Sequence, residues 1–422
     1  MYRKLILIAY SVYPDYKSSE GIVNYNWINI LLKYSNNIVQ ISQKKTIDFV
    51  HDKTLFFKVE NYFYKAIKKQ SLFRFLVYKL LDLLFCFFSK DSSLYNYLWV
   101  NKASQLLNKH YTSDAVIWAR ILPTNSLDAI LRLYSKKHFP FIVNINDPVI
   151  NSQLKNGSKD SLSKEETTLL KTKEHAQAWT FPSSKLADRI AVKYKLDRSR
   201  CFVVPHAITP ILDKYYRKNK KVKILYTGTF YKSAFTQEFK HTLEQIKLHE
   251  VSEKLEFTFV LSQYNQESIK WLKETLPGVK LLFNLDRSEV LELLKESDLI
   301  LVIDAESHTD LLKGKLVEAI SYGVPIYTPT YKGSVMDKVT SSYGCNASYL
   351  EIEGDSFIKL LNAINNLDNI DWLTNFYKER EKVMEQFSEE RILKMTYDIS
   401  EFAHNRFFNK HNFKLKEQYN WP

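Results

Sequence analysis

The chain has little cysteine. Its 422 residues include only three, Cys86, Cys201 and Cys345, which lie far apart and form no CxxC pair. That spacing gives neither a disulfide framework nor a zinc site, and it suits a reducing compartment. His175, His206 and His308 do not stand at metal-ligand spacing to one another. There is no Gly-x-Ser-x-Gly elbow, no GxxxxGK[ST] phosphate loop and no GxGxxG dinucleotide loop. These absences speak against three common enzyme plans: serine hydrolase, P-loop NTPase and dinucleotide-dependent oxidoreductase. No internal repeat or low-complexity tract is visible, and Met1 to Tyr10 reads as a strand with no small-residue cleavage site behind it. A cytoplasmic chain that begins directly with its fold is the expectation.

What is present is ordinary globular composition, with 45% hydrophobic and 25% charged residues. A chain of 422 residues favours two domains. The formal net charge is +13 and the pI is near 9.2. Basic proteins are drawn to nucleic acids, anionic membranes or phosphorylated ligands. Lysine-rich composition also follows from an AT-rich genome, and the 27 Tyr and 26 Phe point the same way. They give no argument for base stacking, and no nucleic-acid partner is expected.

Short apolar runs alternate with longer helical patterns, the signature of βαβ units and parallel sheets. The first series of strands is Lys4 to Ala9, Asn37 to Ser42, Asp114 to Ala119, Phe139 to Ile145, Ala178 to Phe181 and Cys201 to Val204. The second is Lys223 to Thr227, Leu255 to Leu261, Val279 to Asn284, Leu299 to Ile303 and Ile326 to Thr328, with a helix from Ser288 to Glu296 capped by its serine. A polar run from Asp213 to Lys221 reads as the solvated connection between them. After about residue 330 the pattern turns helical. Two doubly wound α/β domains follow, with ligand expected where the carboxyl ends of the two sheets face each other. The expected boundaries are 1–205 for an N-terminal domain, 206–385 for a C-terminal one, and 386–422 for a helical segment packing back on the first.

Residues 71–89 are intensely apolar, with Arg74, Lys79 and Asp82 inside one helical arc of about 140°. Three charges argue against a bilayer crossing. The segment reads either as a buried core helix or as a helix lying in a membrane interface, with Lys65, Lys68, Lys69 and Lys90 meeting acidic headgroups.

The most informative stretch runs from Asp304 to Pro325. A buried strand gives way to a polar loop, and the loop to a short helix opened by Gly314. Gly323 ends that helix and Pro325 prevents its continuation. A glycine at a helix start lets backbone N–H groups approach an anion, and the helix dipole favours phosphate there. Lys313 and Lys315 add positive charge, and Glu318 sits one turn inside, placed to accept hydrogen bonds from a ribose diol. The plainer reading is an ordinary helix with a solvated glutamate.

This stretch resembles the C-terminal signature of retaining glycosyltransferases of the GT-B type, in the large family of sucrose-synthase-like and lipopolysaccharide-assembly enzymes. That signature reads E-x7-E or, in one branch, Lys-x-x-Glu followed by a small-residue helix and Gly-x-Pro. Glu318 matches the glutamate that holds the nucleotide ribose, Lys315 the lysine of the Lys-x-x-Glu branch, and Asp310 falls on the first glutamate, one methylene shorter. Ser19-Glu20-Gly21, followed by Asn26-Trp27, resembles the loop after the first strand, leaving Gly21 as its flexible point near the diphosphate. Trp118-Ala119-Arg120 and Asn146-Asp147-Pro148 are similar to strand-end elements of the family's N-terminal domain. Tyr226 to Tyr231 resembles the Gly-containing loop that opens the second domain; the family's arginine is missing there, and Lys232 is the nearest substitute.

The resemblance implies a GT-B fold, two Rossmann-like domains across a cleft with a C-terminal helix crossing back to the first. It implies transfer of a sugar from a nucleotide-sugar donor to a saccharide or lipid-linked acceptor, with retained configuration, in surface-polysaccharide assembly on the inner face of the cytoplasmic membrane. Lys232, Lys315, Lys313, Gly314 and Gly228 are expected at the diphosphate, Glu318 at the ribose, and Asp310 and His308 by the sugar. Arg120, Asp147 and Glu20 are expected on the acceptor side. No Asp-x-Asp is present, so metal-independent chemistry with no cofactor is expected. Two other readings stay open: a nucleotide-sugar 2-epimerase on the same fold, and a non-catalytic basic protein that binds membrane or nucleic acid.

Overall fold

The structure is a computed structural model that describes residues 3–13, 19–35, 37–44, 55–60, 71–89, 93–121, 123–147, 164–207, 220–228, 236–262, 266–276, 278–341, 347–409, 415 and 419–422. The chain divides into two compact units. One is Met1–Ala207 together with Ile392–Trp421; the other is Ile208–Arg391.

Among the described residues, the first unit is built on a seven-stranded parallel sheet ordered β3-β2-β1-β4-β5-β6-β7. Its strands are β1 (Leu5–Ala9), β2 (Ile38–Lys44), β3 (Leu55–Glu60), β4 (Val116–Ile121), β5 (Phe141–Ile145), β6 (Ala178–Phe181) and β7 (Cys201–Val203). Every residue of β1, β4, β5 and β6 is buried. Helices on both faces require strands without a polar side, which is why these segments read as unbroken apolar runs. The chain starts in the middle at β1, winds outward through β2 and β3, then returns to place β4 on the other side of β1, with Leu5 beside Val116 and Ala9 beside Arg120. The edge strand β3 was not anticipated from the sequence.

The helix Glu389–Asn409 returns to this unit and shares its core: Ile392, Met395, Ile399 and Phe402 pack with Leu5, Leu7, Trp27 and Trp118. The two indoles lie 5.2 Å apart between ring centroids. Each donates its N–H to this helix, Trp27 to the Thr396 hydroxyl at 3.2 Å and Trp118 to the Ser400 hydroxyl at 2.8 Å. Tyr419, also buried, accepts the Val203 N–H on its carbonyl at 3.0 Å and so extends the hydrogen bonding beyond β7.

The second unit repeats the plan. Among the described residues, six parallel strands run β10-β9-β8-β11-β12-β13: β8 (Val222–Gly228), β9 (Leu255–Leu261), β10 (Lys280–Phe283), β11 (Leu299–Leu301), β12 (Ile326–Thr330) and β13 (Ala347–Tyr349). The sequence pattern had turned helical after residue 330, so β13 is a correction. Three residues, Ala-Ser-Tyr, are too few to show a period. A second correction concerns the helix Arg287–Glu296. It is capped by Asp286 rather than Ser288, and Glu289 reaches back to accept the Asp286 N–H at 2.8 Å, closing a capping box.

The apolar segment forms the helix Leu72–Ser89, and its position overturns the core-helix reading. Phe73 is 78% exposed and Phe87 80% exposed, and Leu76, Leu80, Leu83 and Leu84 are exposed as well. Its other side packs on the helix that follows, Leu94–His110. Phe85 packs on Tyr97 at 5.1 Å, and Asp82 accepts the Leu94 N–H at 2.6 Å. At about 100° per residue, Leu72, Phe73, Leu76, Val77, Leu80, Leu81, Leu83, Leu84 and Phe87 fill one continuous arc of about 180°. Arg74 and Lys79 stand just beyond its two ends. Among the described residues, no helix is long and apolar enough to cross a membrane.

The indole hydrogen bonds give a direct test of how the chain end is held. Thr396→Val combined with Ser400→Ala preserves shape but leaves two buried N–H groups without acceptors, at roughly 1–3 kcal/mol each. A lower urea midpoint with unchanged slope is the expected result of equilibrium unfolding.

Candidate functional site

In doubly wound sheets, ligands bind outside the carboxyl ends of the strands where the winding direction reverses. The second unit reverses between β8 and β11, and the candidate residues of both flanking loops gather there. Asp304 follows β11 and is fully buried. Its Oδ1 accepts the Ala305 N–H at 2.8 Å and lies 3.3 Å from the Lys313 Nζ, while Oδ2 accepts the Thr330 hydroxyl at 3.0 Å. Lys313 also donates to the Ile303 carbonyl at 2.8 Å. Lys313 was expected among the donor-binding cations. Its ammonium instead faces inward and clamps the ends of the 304–313 loop, because a buried carboxylate demands a cationic partner. Burial holds the Lys313 pKa below its ordinary value, against the pull of Asp304.

Lys313, the residue before the helix Gly314–Tyr322, carries only donors and has nothing with which to accept the N–H groups of the first turn, so that helix start has no side-chain cap. Other helices of the unit are closed by Thr236, Ser334 and Asn369. The Gly314 and Lys315 N–H groups donate to nothing among the described residues, an open end carrying partial positive charge. Gly323 ends the helix in the left-handed conformation, with φ 68°.

Lys315 brings its amine to the same place. Its Nζ lies 5.6 Å from the Tyr226 ring centroid and directly over Gly228, the last residue of β8. A Cβ added to Gly228 would fall 1.2 Å from that nitrogen, and the φ of +131° is one that side-chain-bearing residues rarely adopt. Among the described residues the ammonium makes no hydrogen bond and no ion pair. Burial lowers its pKa to about 7, helped by Lys313 and opposed by Glu318. Such a group gains a great deal from an arriving anion.

Glu318, one turn on, pairs its Oε1 with Nη2 of Arg287, the first residue of the helix Arg287–Glu296. The sequence reading missed Arg287 because it started that helix one residue late. His308 sits in the one-turn helix Glu306–His308 with Nδ1 2.7 Å from the Ser307 hydroxyl, and Asp310 is buried farther along the same loop. Lys232 lies outside the described residues.

The first unit reverses between β1 and β4, and Glu20 and Arg120 meet there. Arg120, at the end of β4, is buried, with its guanidinium carbon 4.8 Å from the Trp27 ring centroid and its Nε donating to Asn24. Asn24 in turn donates to the Ser11 carbonyl at 2.7 Å. The Asn146 amide donates to both oxygens of Glu20, at 2.9 and 3.0 Å. Burial raises the Glu20 pKa to about 7 against the pull of Arg120, with Asp147 adding to the rise and the amides of Asn146 and Asn24 opposing it. Burial likewise lowers Arg120 to about 10, opposed by Glu20. Asp147 stands two residues beyond β5, where the residue as a whole is exposed but desolvation of its carboxyl raises the pKa. Gly21, expected as the flexible point of a loop, lies instead within the first turn of the helix Ser19–Tyr34 and is buried. Among the described residues, no group of three or more His, Cys, Asp and Glu is arranged to hold a metal ion.

No protein-family model matches the chain, and neither does any curated protein sequence. Solved structures do match over nearly the whole length. A trehalose-6-phosphate protein from E. coli bound with UDP-2-fluoro glucose superimposes with a TM-score of 0.60 at 12% identity, covering 95% of this chain and 99% of its own. A variant of S. aureus TarM in complex with fondaparinux, alpha-GlcNAc-glycerol and UDP gives 0.61 at 10% identity, covering 94% and 99%. HepE of Anabaena in complex with UDP-glucose gives 0.60 at 13%, covering 94% and 98%. The fold is GT-B, two Rossmann-like units.

The Gly228–Lys315 contact predicts a specific sensitivity. Gly228→Ala should weaken binding of inorganic pyrophosphate by about tenfold or more, because the new methyl occupies the place of the ammonium. Gly278→Ala is the calorimetric control: φ is +74° there, but nothing lies within 4 Å of the added Cβ.

Proposed function

We propose that this protein is a glycosyltransferase that moves a sugar from a nucleotide-sugar to a saccharide or lipid-linked acceptor with retention of anomeric configuration. The observation that carries this reading is the uncapped helix at Gly314 with the Lys315 ammonium above Gly228 and Glu318 one turn inside. A leaving nucleoside diphosphate gains negative charge as the glycosidic bond to its phosphate breaks. Fixed N–H dipoles and a desolvated ammonium stabilise that charge without having to reorganise. The Lys315 ammonium and the Gly314 N–H meet the phosphates, joined by Lys232, while Glu318 accepts hydrogen bonds from the ribose. Asp310 and His308 stand by the sugar, and Glu20, Arg120 and Asp147 belong to the acceptor side. The acceptor oxygen bonds to the anomeric carbon on the face the phosphate leaves, and its proton passes to that phosphate. No metal ion or other cofactor is assigned to the reaction.

A thermal-shift panel of UDP, GDP and ADP, followed by a transfer assay with the matching nucleotide-sugars, tests the reading. Lys315→Ala should cut turnover about tenfold or more, roughly 1.4 kcal/mol of transition-state stabilisation, with a smaller change in donor affinity. Activity should persist in EDTA. Normal turnover in Lys315→Ala, or loss in EDTA that manganese restores, overturns the mechanism.

The exposed apolar face of the helix Leu72–Ser89 supports a place on the inner surface of the cytoplasmic membrane, in assembly of cell-surface polysaccharide. An apolar arc flanked at both edges by Arg74 and Lys79 suits a helix lying flat at the headgroup boundary, its stems in the acyl region and its charges among acidic lipids. The net charge of +13 adds attraction to an anionic bilayer. Phe73→Glu with Phe87→Glu should abolish flotation with vesicles of anionic lipid. Both side chains are largely exposed, so the fold should be retained. Undiminished flotation would assign binding to another surface.

A further inference from the structure

Lys315 and Glu318 carry opposite charges three residues apart on one helix, a spacing at which side chains are neighbours and commonly pair. They do not pair here. Glu318 turns away to Arg287, which belongs to a different helix, and Lys315 stays over Gly228 without a hydrogen bond among the described residues. Two features keep Arg287 in place for this. It is the first residue of its helix, and the Asp286–Glu289 capping box fixes that first turn. The pair is partly shielded, with side-chain exposures of 27% for Arg287 and 21% for Glu318, so it is less screened than a surface ion pair.

We propose that Arg287 is a positioning residue that holds the Glu318 carboxylate away from the Lys315 ammonium, keeping each available for its own part of the nucleotide. Without Arg287, Glu318 is left with Lys315, three residues away on the same helix and already coupled to its charge, and the two would satisfy one another. A phosphate would then have to break an ion pair to reach the ammonium, and a ribose would meet a carboxylate turned the wrong way. Arg287 therefore acts on phosphate binding without touching phosphate. The inference rests on the reading of the Gly314 helix as a nucleotide-sugar site and adds the element that prevents self-quenching.

The test uses the full chain with two probes, inorganic pyrophosphate and whichever of UDP, GDP and ADP binds most tightly, in calorimetric titrations. Arg287→Ala should weaken pyrophosphate binding by about tenfold. Adding Glu318→Ala to that variant should bring pyrophosphate affinity back to about the wild-type value, since the competing carboxylate is gone. A merely structural role cannot produce such a reversal, because a second truncation would only add damage. Arg287→Lys should keep most of the wild-type affinity. For the nucleotide, Arg287→Ala and Glu318→Ala should each erase the preference for ribose over 2′-deoxyribose. The proposal is overturned if Arg287→Ala binds pyrophosphate as wild type does, or if the double variant stays as weak as Arg287→Ala. Should Lys315→Ala itself leave pyrophosphate binding unchanged, the nucleotide-site reading falls, and this proposal with it.

Discussion

The ion pair of Asp304 and Lys313 is the constraint from which the second unit's site follows. A carboxylate with no solvent exposure must be matched in full, and here a backbone N–H, a threonine hydroxyl and an ammonium do so. The ammonium comes from the residue immediately before a helix, a position usually given to a small polar side chain that would close the helix end. Placing a lysine there, with no acceptor to offer the first turn, leaves the end open. It also holds the 304–313 loop at both ends, so Gly314 and Lys315 start from a fixed place. The side chain at the cap position anchors the loop, and the Gly314 and Lys315 N–H groups stay without acceptors among the described residues.

The same winding gives the two units crevices of different charge. In both, the first strand stands beside the fourth of its series, and the loops on either side diverge at that point. In the second unit the crevice carries a cation unpaired among the described residues and a helix end, which suit anions. The first unit's crevice carries the Glu20 carboxyl, its pKa raised to about 7, beside a buried guanidinium; the Asn146 amide donates to Glu20, and the Asn24 amide oxygen accepts from Arg120. That arrangement suits hydroxyl groups, which donate to Glu20 and accept from cationic or amide N–H.

Much of this was legible in the sequence because parallel strands buried on both faces are continuous apolar runs. Ala178–Phe181 and Leu255–Leu261 could be read to the residue. What escaped was short or at an edge: β13 has three residues, and β3 lies at the sheet margin. The Gly314 helix and Glu318 were visible from glycine and charge spacing, yet the direction of Lys313 was not. A lysine two residues before Lys315 reads as one more cation until the buried Asp304 is seen to need it. Arg287 gave no signal, since its partner lies 31 residues away. The exposure of the helix Leu72–Ser89 was equally hidden, because an apolar arc looks the same whether protein or lipid covers it.

The return of the last helix to the first unit has a consequence for the order of events during synthesis. Trp27 and Trp118 are made early, but the hydroxyls that accept their N–H groups belong to Thr396 and Ser400. Contacts spanning 369 and 282 residues are slow to close, and they cannot form until Thr396 and Ser400 have left the ribosome. The second unit, Ile208–Arg391, emerges complete before that point. The unit that is translated first is therefore the one that finishes folding last, and until then it exposes a tryptophan-lined seam to the chaperones of the nascent chain.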